Sequence, residues 1–147
     1  MEIKDILIPG CTLCAAQGSS KKRILETISE IASQQHPGLE LDAVLTSLLC
    51  REKMGSTGIG NGIAIPHGRL AGLDKVIAVL MTSDQPVAYD AIDNQPVDIF
   101  FAILVPEEQA QGHLQTLATI AKKLSDKDTL KRLRHARSNQ ELYEAIV

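Results

Sequence analysis

Aromatic residues are nearly missing from this chain, which has two Phe, two Tyr and no Trp among its 147 residues. Flat π-faces are what proteins stack against sugar rings and unpaired bases, so direct carbohydrate or single-strand recognition is disfavoured. A basic surplus is missing too. Fifteen Lys and Arg against eighteen Asp and Glu leave a formal charge of −3, whereas nucleic-acid binders usually carry strong positive charge. There is no run of about 18 apolar residues to span a bilayer, and no basic-then-apolar leader with a small-residue cleavage site. Cysteine is scarce: Cys11, Cys14 and Cys50 are odd in number and too few for a disulfide framework. These absences give the expectation of a cytoplasmic protein with no nucleic-acid partner and no membrane insertion.

What is present fits one domain spanning 1–147, since 44% hydrophobic and 22% charged residues are ordinary for a soluble globular chain. Ile3, Ile6 and Ile8 suggest an edge segment or short strand. Ser19-Ser20 opens a helix with Ile24, Leu25, Ile28, Ile31 and Ala32 on one face, and His36-Pro37-Gly38 ends it. A second helix is expected over Glu40 to Glu52, with Leu41, Val44, Leu45, Leu48 and Leu49 inward. Ile63-Ala64-Ile65 reads as a short strand, and Val76–Met81 and Val97–Val105 read as buried strands with turn residues between them. Leu114, Leu117, Ile120, Ala121 and Leu124 mark a helix of about four turns. A shorter helix follows around Asp128 to Ala136, and a last one starts at the Ser138-x-x-Glu141 capping box. Helices before, between and after the strands predict an α/β architecture, a sheet sandwiched between helical layers.

The chemistry concentrates in Glu52–Gly68. Glycines at 55, 58, 60 and 62, with Ser56 and Thr57, precede the short strand, Pro66 and a single imidazole, His67. A Gly-rich loop can turn several backbone N–H groups on an anion, so Ser56, Thr57, Gly58, Gly60 and Gly62 are candidates for a phosphate loop beside a phosphohistidine. His113 stands at the edge of a buried helical stripe, and Arg51 ends the second helix just before the loop, within reach of a phosphate. His36 and His135 sit at a helix end and on a basic helical surface, where neither suggests chemistry. Cys11-x-x-Cys14 is half of a zinc-ribbon pattern without its second half, and His67 and His113 have no third ligand at suitable spacing. No metal or cofactor is expected. Seven of the fifteen Lys and Arg lie between Lys122 and Arg137, the pattern of a solvated helical face or a surface for an acidic partner.

Glu52, Ile59-Gly60, Ile63-Ala64-Ile65 and Pro66-His67-Gly68 together resemble the active-site signature of the type-2 enzyme IIA domains of the bacterial phosphoenolpyruvate-dependent phosphotransferase system, the fructose/mannitol/nitrogen-type family. The Val105–Gln109 helix opening and His113–Leu117 are similar to that family's second-histidine segment. The resemblance implies a mixed, about five-stranded sheet with helices on both sides and a phosphoryl group carried on His67 Nε2. His113 and Arg51 would steady that group. The Asp5–Pro9 opening, Arg51–Gly58 and the Arg132…Tyr143 tail look nitrogen-type, which implies an HPr-like phosphocarrier as donor and regulatory targets in potassium or nitrogen metabolism. Two other readings stay open: a sugar-uptake IIA passing phosphate to a IIB domain, and a binding module indifferent to phosphorylation. A transient protein donor also needs an apolar rim at the site, for which Ile59, Ile63, Ile65 and Leu70 are the candidates.

Overall fold

The computed structural model describes residues 2–108 and 113–147; Gln109, in the expected second-histidine segment, lies outside them. Two short 3-10 turns, Ile3–Asp5 and Pro9–Cys11, lead into strand β1 (Thr12–Ala16). Helices α1 (Lys21–Gln35) and α2 (Leu41–Lys53) follow, then β2 (Gly58–Gly60), β3 (Ile63–Ala64), β4 (His67–Leu70), β5 (Ile77–Val87) and β6 (Val97–Pro106). Helices α3 (Leu114–Leu124), α4 (Lys127–His135) and α5 (Asn139–Ile146) close the chain.

The six strands form one mixed sheet in the order β1-β5-β6-β3-β2, with β4 also on β6. Strand β6 is its axis, antiparallel to β5 and parallel to both β3 and β4. Successive strand residues point to opposite faces, and Ile77, Ala78, Val79, Leu80 and Met81 are all buried, so both faces are covered. That is the three-layer arrangement expected from the continuous apolar runs.

The strand count of six rather than five has a local cause. Ile63 faces Ile99 and Ala64 faces Phe100 in β3, while His67 faces Ile103 and Gly68 faces Leu104 in β4. The register is unchanged across the gap, so β3 and β4 are one strand interrupted at Ile65-Pro66. Pro66 has no N–H to donate to the ladder, and the pairing lapses there. Counted by register, the expected five remain.

Other departures are equally physical. The Ile3–Ile8 segment is not a strand: the 3-10 turns bury Ile3 and Leu7 and leave Ile8 exposed. In α2 only Val44 and Leu48 are fully buried, and Leu41 is turned outward, because one stripe of this helix packs inward. Helix α3 has 11 residues, shorter than the four turns expected. Strand β5 runs on through Asp84–Val87, which the sequence presents as turn chemistry. Capping followed the sequence closely: Ser20 Oγ accepts from Arg23 N at 3.1 Å and Ser138 Oγ from Glu141 N at 3.1 Å.

Helix α2 lies tightly on β4. A Cβ built on Gly68 would stand 3.0 Å from Ser47 Cβ and 3.1 Å from its carbonyl carbon, and Ser47 Oγ donates to Arg69 O at 2.8 Å. Glycine at 68 is what permits this approach. Gly68→Ala should therefore push α2 outward and lower unfolding stability by about 1–3 kcal/mol in urea titration. An unchanged midpoint would mean the helix yields at no cost.

Candidate functional site

The ladder on β6 decides how His67 is held. In a parallel pair, alternate residues turn their backbone groups to the neighbour. Gly62 O accepts from Ile99 N at 3.0 Å and Pro66 O accepts from Ile103 N at 2.9 Å, so the even positions face β6. Ile65 faces the other way, its N–H donating to Thr57 O at 3.0 Å. Its carbonyl meets the imidazole instead, with His67 Nδ1 at 2.9 Å. A carbonyl only accepts, so Nδ1 carries the hydrogen and Nε2 keeps a lone pair.

Arg51, in the last turn of α2, confirms that tautomer from the other side. Its Nε–H donates to His67 Nε2 at 3.1 Å, and its Nη1 donates to Gly55 O at 2.9 Å. A guanidinium has no acceptor, so the ring nitrogen it touches must be unprotonated. Burial lowers the His67 pKa from its ordinary 6.5; the Ile65 hydrogen bond raises it, the Arg51 charge lowers it further, and Glu52 pulls it back up. The net direction is downward, and the ring is neutral at pH 7.

His113 occupies the N-cap position of α3 without a side-chain capping bond, and its Nε2 is buried with no partner among the described residues. It stands at the cap, where the sequence suggests the first turns of the helix. His67, Arg51 and His113 line one cavity of about 580 Å³ between α2 and α3, over β4 and β6. None of the described residues lining it is acidic, and Arg69 adds a second guanidinium. Such a lining suits an anion. Met54 and Leu114 stand at its edge, 81% and 71% exposed, and form an apolar rim.

The expected rim is different. Ile63, Ile65 and Leu70 are core residues, and Ile59, though exposed, does not line the cavity. The Gly-rich loop is also placed otherwise than expected: Ser56, Thr57, Gly58, Gly60 and Gly62 are not among the residues lining the cavity. Thr57 N–H donates to Glu52 Oε1 at 3.1 Å and Gly58 N–H to Ser56 Oγ at 3.0 Å, while Ser56 Oγ–H donates to Tyr89 O at 2.8 Å. Gly60 approaches Asp93, and Gly62 O takes the N–H groups of Asp98 and Ile99. The reason is that β2 and β3 form a hairpin, with Asn61 at φ 58° and Gly62 at φ 79° in its two-residue turn. Asn-Gly is the strongest short hairpin signal in a sequence, and here it outweighs the anion-loop reading. Arg69, Met54 and Leu114 are site residues that the motif does not announce. Arg69 is recoverable as the residue two along a strand from His67 and hence on its face.

Comparison with known proteins identifies the family. Residues 6–147 match the family model described as phosphoenolpyruvate-dependent sugar phosphotransferase system, EIIA 2. The chain is 50% identical over 147 residues to a nitrogen regulatory protein of Klebsiella oxytoca, covering 99% of this chain and 90% of that one. It is 30% identical over 128 residues to a fructose-specific EIIA component of Haloferax volcanii, covering 87% and 83%. The crystal structure of nitrogen regulatory protein IIA-Ntr from Neisseria meningitidis superposes with a TM-score of 0.91 at 34% identity, covering 99% of each chain. The chain belongs to the type-2 EIIA family of the phosphotransferase system, and within it resembles the nitrogen regulatory proteins.

Proposed function

We propose that this protein is a phosphohistidine phosphocarrier that accepts a phosphoryl group on His67 from an HPr-like protein and acts as a regulator. The observation that carries this reading is the state of one ring: Nδ1–H is fixed on Ile65 O, and the Nε2 lone pair faces the cavity beside Arg51. Nε2 gives its lone pair to phosphorus as the N–P bond of the donor phosphohistidine breaks, and that electron pair returns to the donor's nitrogen. No proton has to cross between the proteins. Charge in the loose transition state lies on the equatorial oxygens, so alignment and positive donors supply most of the catalysis. The Arg51 Nε–H must leave the lone pair as phosphorus arrives, and a phosphoryl oxygen is its natural new acceptor. His113 Nε2, if protonated, supplies a second donor. The Met54 and Leu114 rim is where the donor protein would seat.

The regulatory role, directed at nitrogen or potassium metabolism in the cytoplasm, is supported by the likeness to proteins named nitrogen regulatory, at 50% identity against 30% for the fructose-specific relative. Incubation with phosphoenolpyruvate, enzyme I and an HPr-like carrier should add one acid-labile phosphate per chain. Transfer from the labelled protein to a fructose or mannitol IIB domain should be far slower than loading. Onward transfer at the loading rate would establish a sugar-uptake role instead, and no labelling would end the carrier reading.

A further inference from the structure

Next to Arg51 lies a largely buried ion pair that the chemistry above does not use. Lys21 Nζ, at the start of α1, is 2.9 Å from Glu52 Oε1, with the two side chains 23% and 5% exposed. The same carboxylate accepts from Thr57 N–H at 3.1 Å and from the Thr57 hydroxyl. Beneath them is Tyr89, 1% exposed, with its OH 3.3 Å from Thr57 Oγ1 and its ring centroid 4.5 Å from the Lys21 ammonium. One carboxylate thus joins the first turn of α1 to the last turn of α2 and to the loop at 57.

Arg51 is the neighbour of Glu52 on α2. Consecutive helical side chains diverge by about 100°, so Glu52 can be anchored beneath while Arg51 reaches His67. One acceptor of the guanidinium, Gly55 O, lies within this anchorage, while the other, His67 Nε2, is held by its own strand. Gly55 O belongs to the turn whose ends, 52 and 57, the carboxylate holds together, with Met54 N bonded to Arg51 O and Gly55 N to Glu52 O, both at 3.1 Å. Helix ends fray unless something ties them down, and an arginine side chain is rich in rotamers.

We propose that Lys21 and Glu52 are positioning residues, their ion pair clamping the end of α2 and the following turn so that the Arg51 guanidinium stays on the His67 ring. The clamp rests on His67 being the acceptor. Tyr89 and Thr57 complete it by closing the apolar and hydroxyl sides of the pair. Removing one charge of a buried pair strands the other, whereas removing both with shape kept is often neutral for stability. The two cases separate folding from positioning.

The test compares Lys21→Met, Glu52→Gln and the double variant in the full chain. Thermal melts report folding, phosphate uptake from phosphoenolpyruvate, enzyme I and an HPr-like carrier reports rate, and proton–nitrogen NMR follows the Arg51 Nε–H contact to His67. Lys21→Met should lose stability. The double variant should melt near the wild type, load more slowly by about tenfold or more, as losing a transition-state donor requires, and lose the Arg51–His67 signal. Loading at the wild-type rate, or slow loading with that signal intact, would overturn the clamp. If the double variant does not fold, Glu52→Gln, whose amide keeps the shape and an acceptor, is assayed well below its own melting temperature, where slowed loading with the Arg51–His67 signal lost supports the clamp and wild-type loading overturns it. A wild type that takes no phosphate refutes the carrier reading itself, while a labelled wild type with indifferent variants refutes only the clamp.

Discussion

His67→Ala should take up no acid-labile phosphate under conditions that fully load the wild type. The other imidazoles cannot replace it. His36 faces the Cys11 thiol at 3.6 Å, and His135 is on the exposed side of α4. His113 lines the same cavity but has no fixed tautomer of its own among the described contacts. Residual labelling of His67→Ala at even half stoichiometry would move the acceptor elsewhere. The pH dependence follows from the same ring. Attack needs neutral imidazole, and burial and Arg51 set its pKa below 6.5. Loading should be flat above neutrality and fall only as pH drops through the depressed folded value. For stability the sign is equally definite: the unfolded ring binds its proton near 6.5 and the folded ring only below that. The ring's contribution is therefore complete above 6.5 and is lost as pH falls through the folded pKa. His67→Ala should remove that part of the acid slope in a pH series of urea titrations.

Arg51→Ala should slow loading by about 10²–10³-fold, the effect of removing one preorganised donor, about 2.7–4 kcal/mol of transition-state stabilisation. On the proposed reading it removes a donor to the phosphoryl group, and it also removes the guanidinium contact to His67 Nε2. It should raise the His67 pKa, because the guanidinium charge is one of the causes that lower it. Histidine NMR titration reads the shift directly. Arg51→Lys restores charge without restoring rate, since an ammonium cannot bond the ring and Gly55 O in the same planar fork. A loss under tenfold for Arg51→Ala, with an unmoved pKa, would remove Arg51 from the chemistry.

Much of this was legible in the sequence, for identifiable reasons. The strands Val97–Pro106 and Ile77–Val87 announce themselves because a sheet covered on both faces needs unbroken apolar runs. Helix starts at Ser20 and Ser138 were readable because a hydroxyl is needed to take an orphan N–H. The trio His67, His113 and Arg51 could be gathered from motif and resemblance, although 62 residues separate the second histidine from Arg51 in the chain. What failed was the loop. Its glycines serve a hairpin turn and close packing against Ala91 and Asp93, so they pointed to backbone geometry and not to a ligand. The continuation of the strand through Pro66 was also hidden, because proline usually marks an end and here marks only one missing donor. The Lys21–Glu52 pair was unreadable: it joins residues 31 apart through a contact that no local period encodes.

The most direct measurement is long-range proton–nitrogen NMR of the phosphorylated, histidine-labelled protein. Phosphorus is expected on Nε2 of His67, with Nδ1–H still bonded to the Ile65 carbonyl. Phosphorus on Nδ1, or on any other side chain, would contradict this assignment.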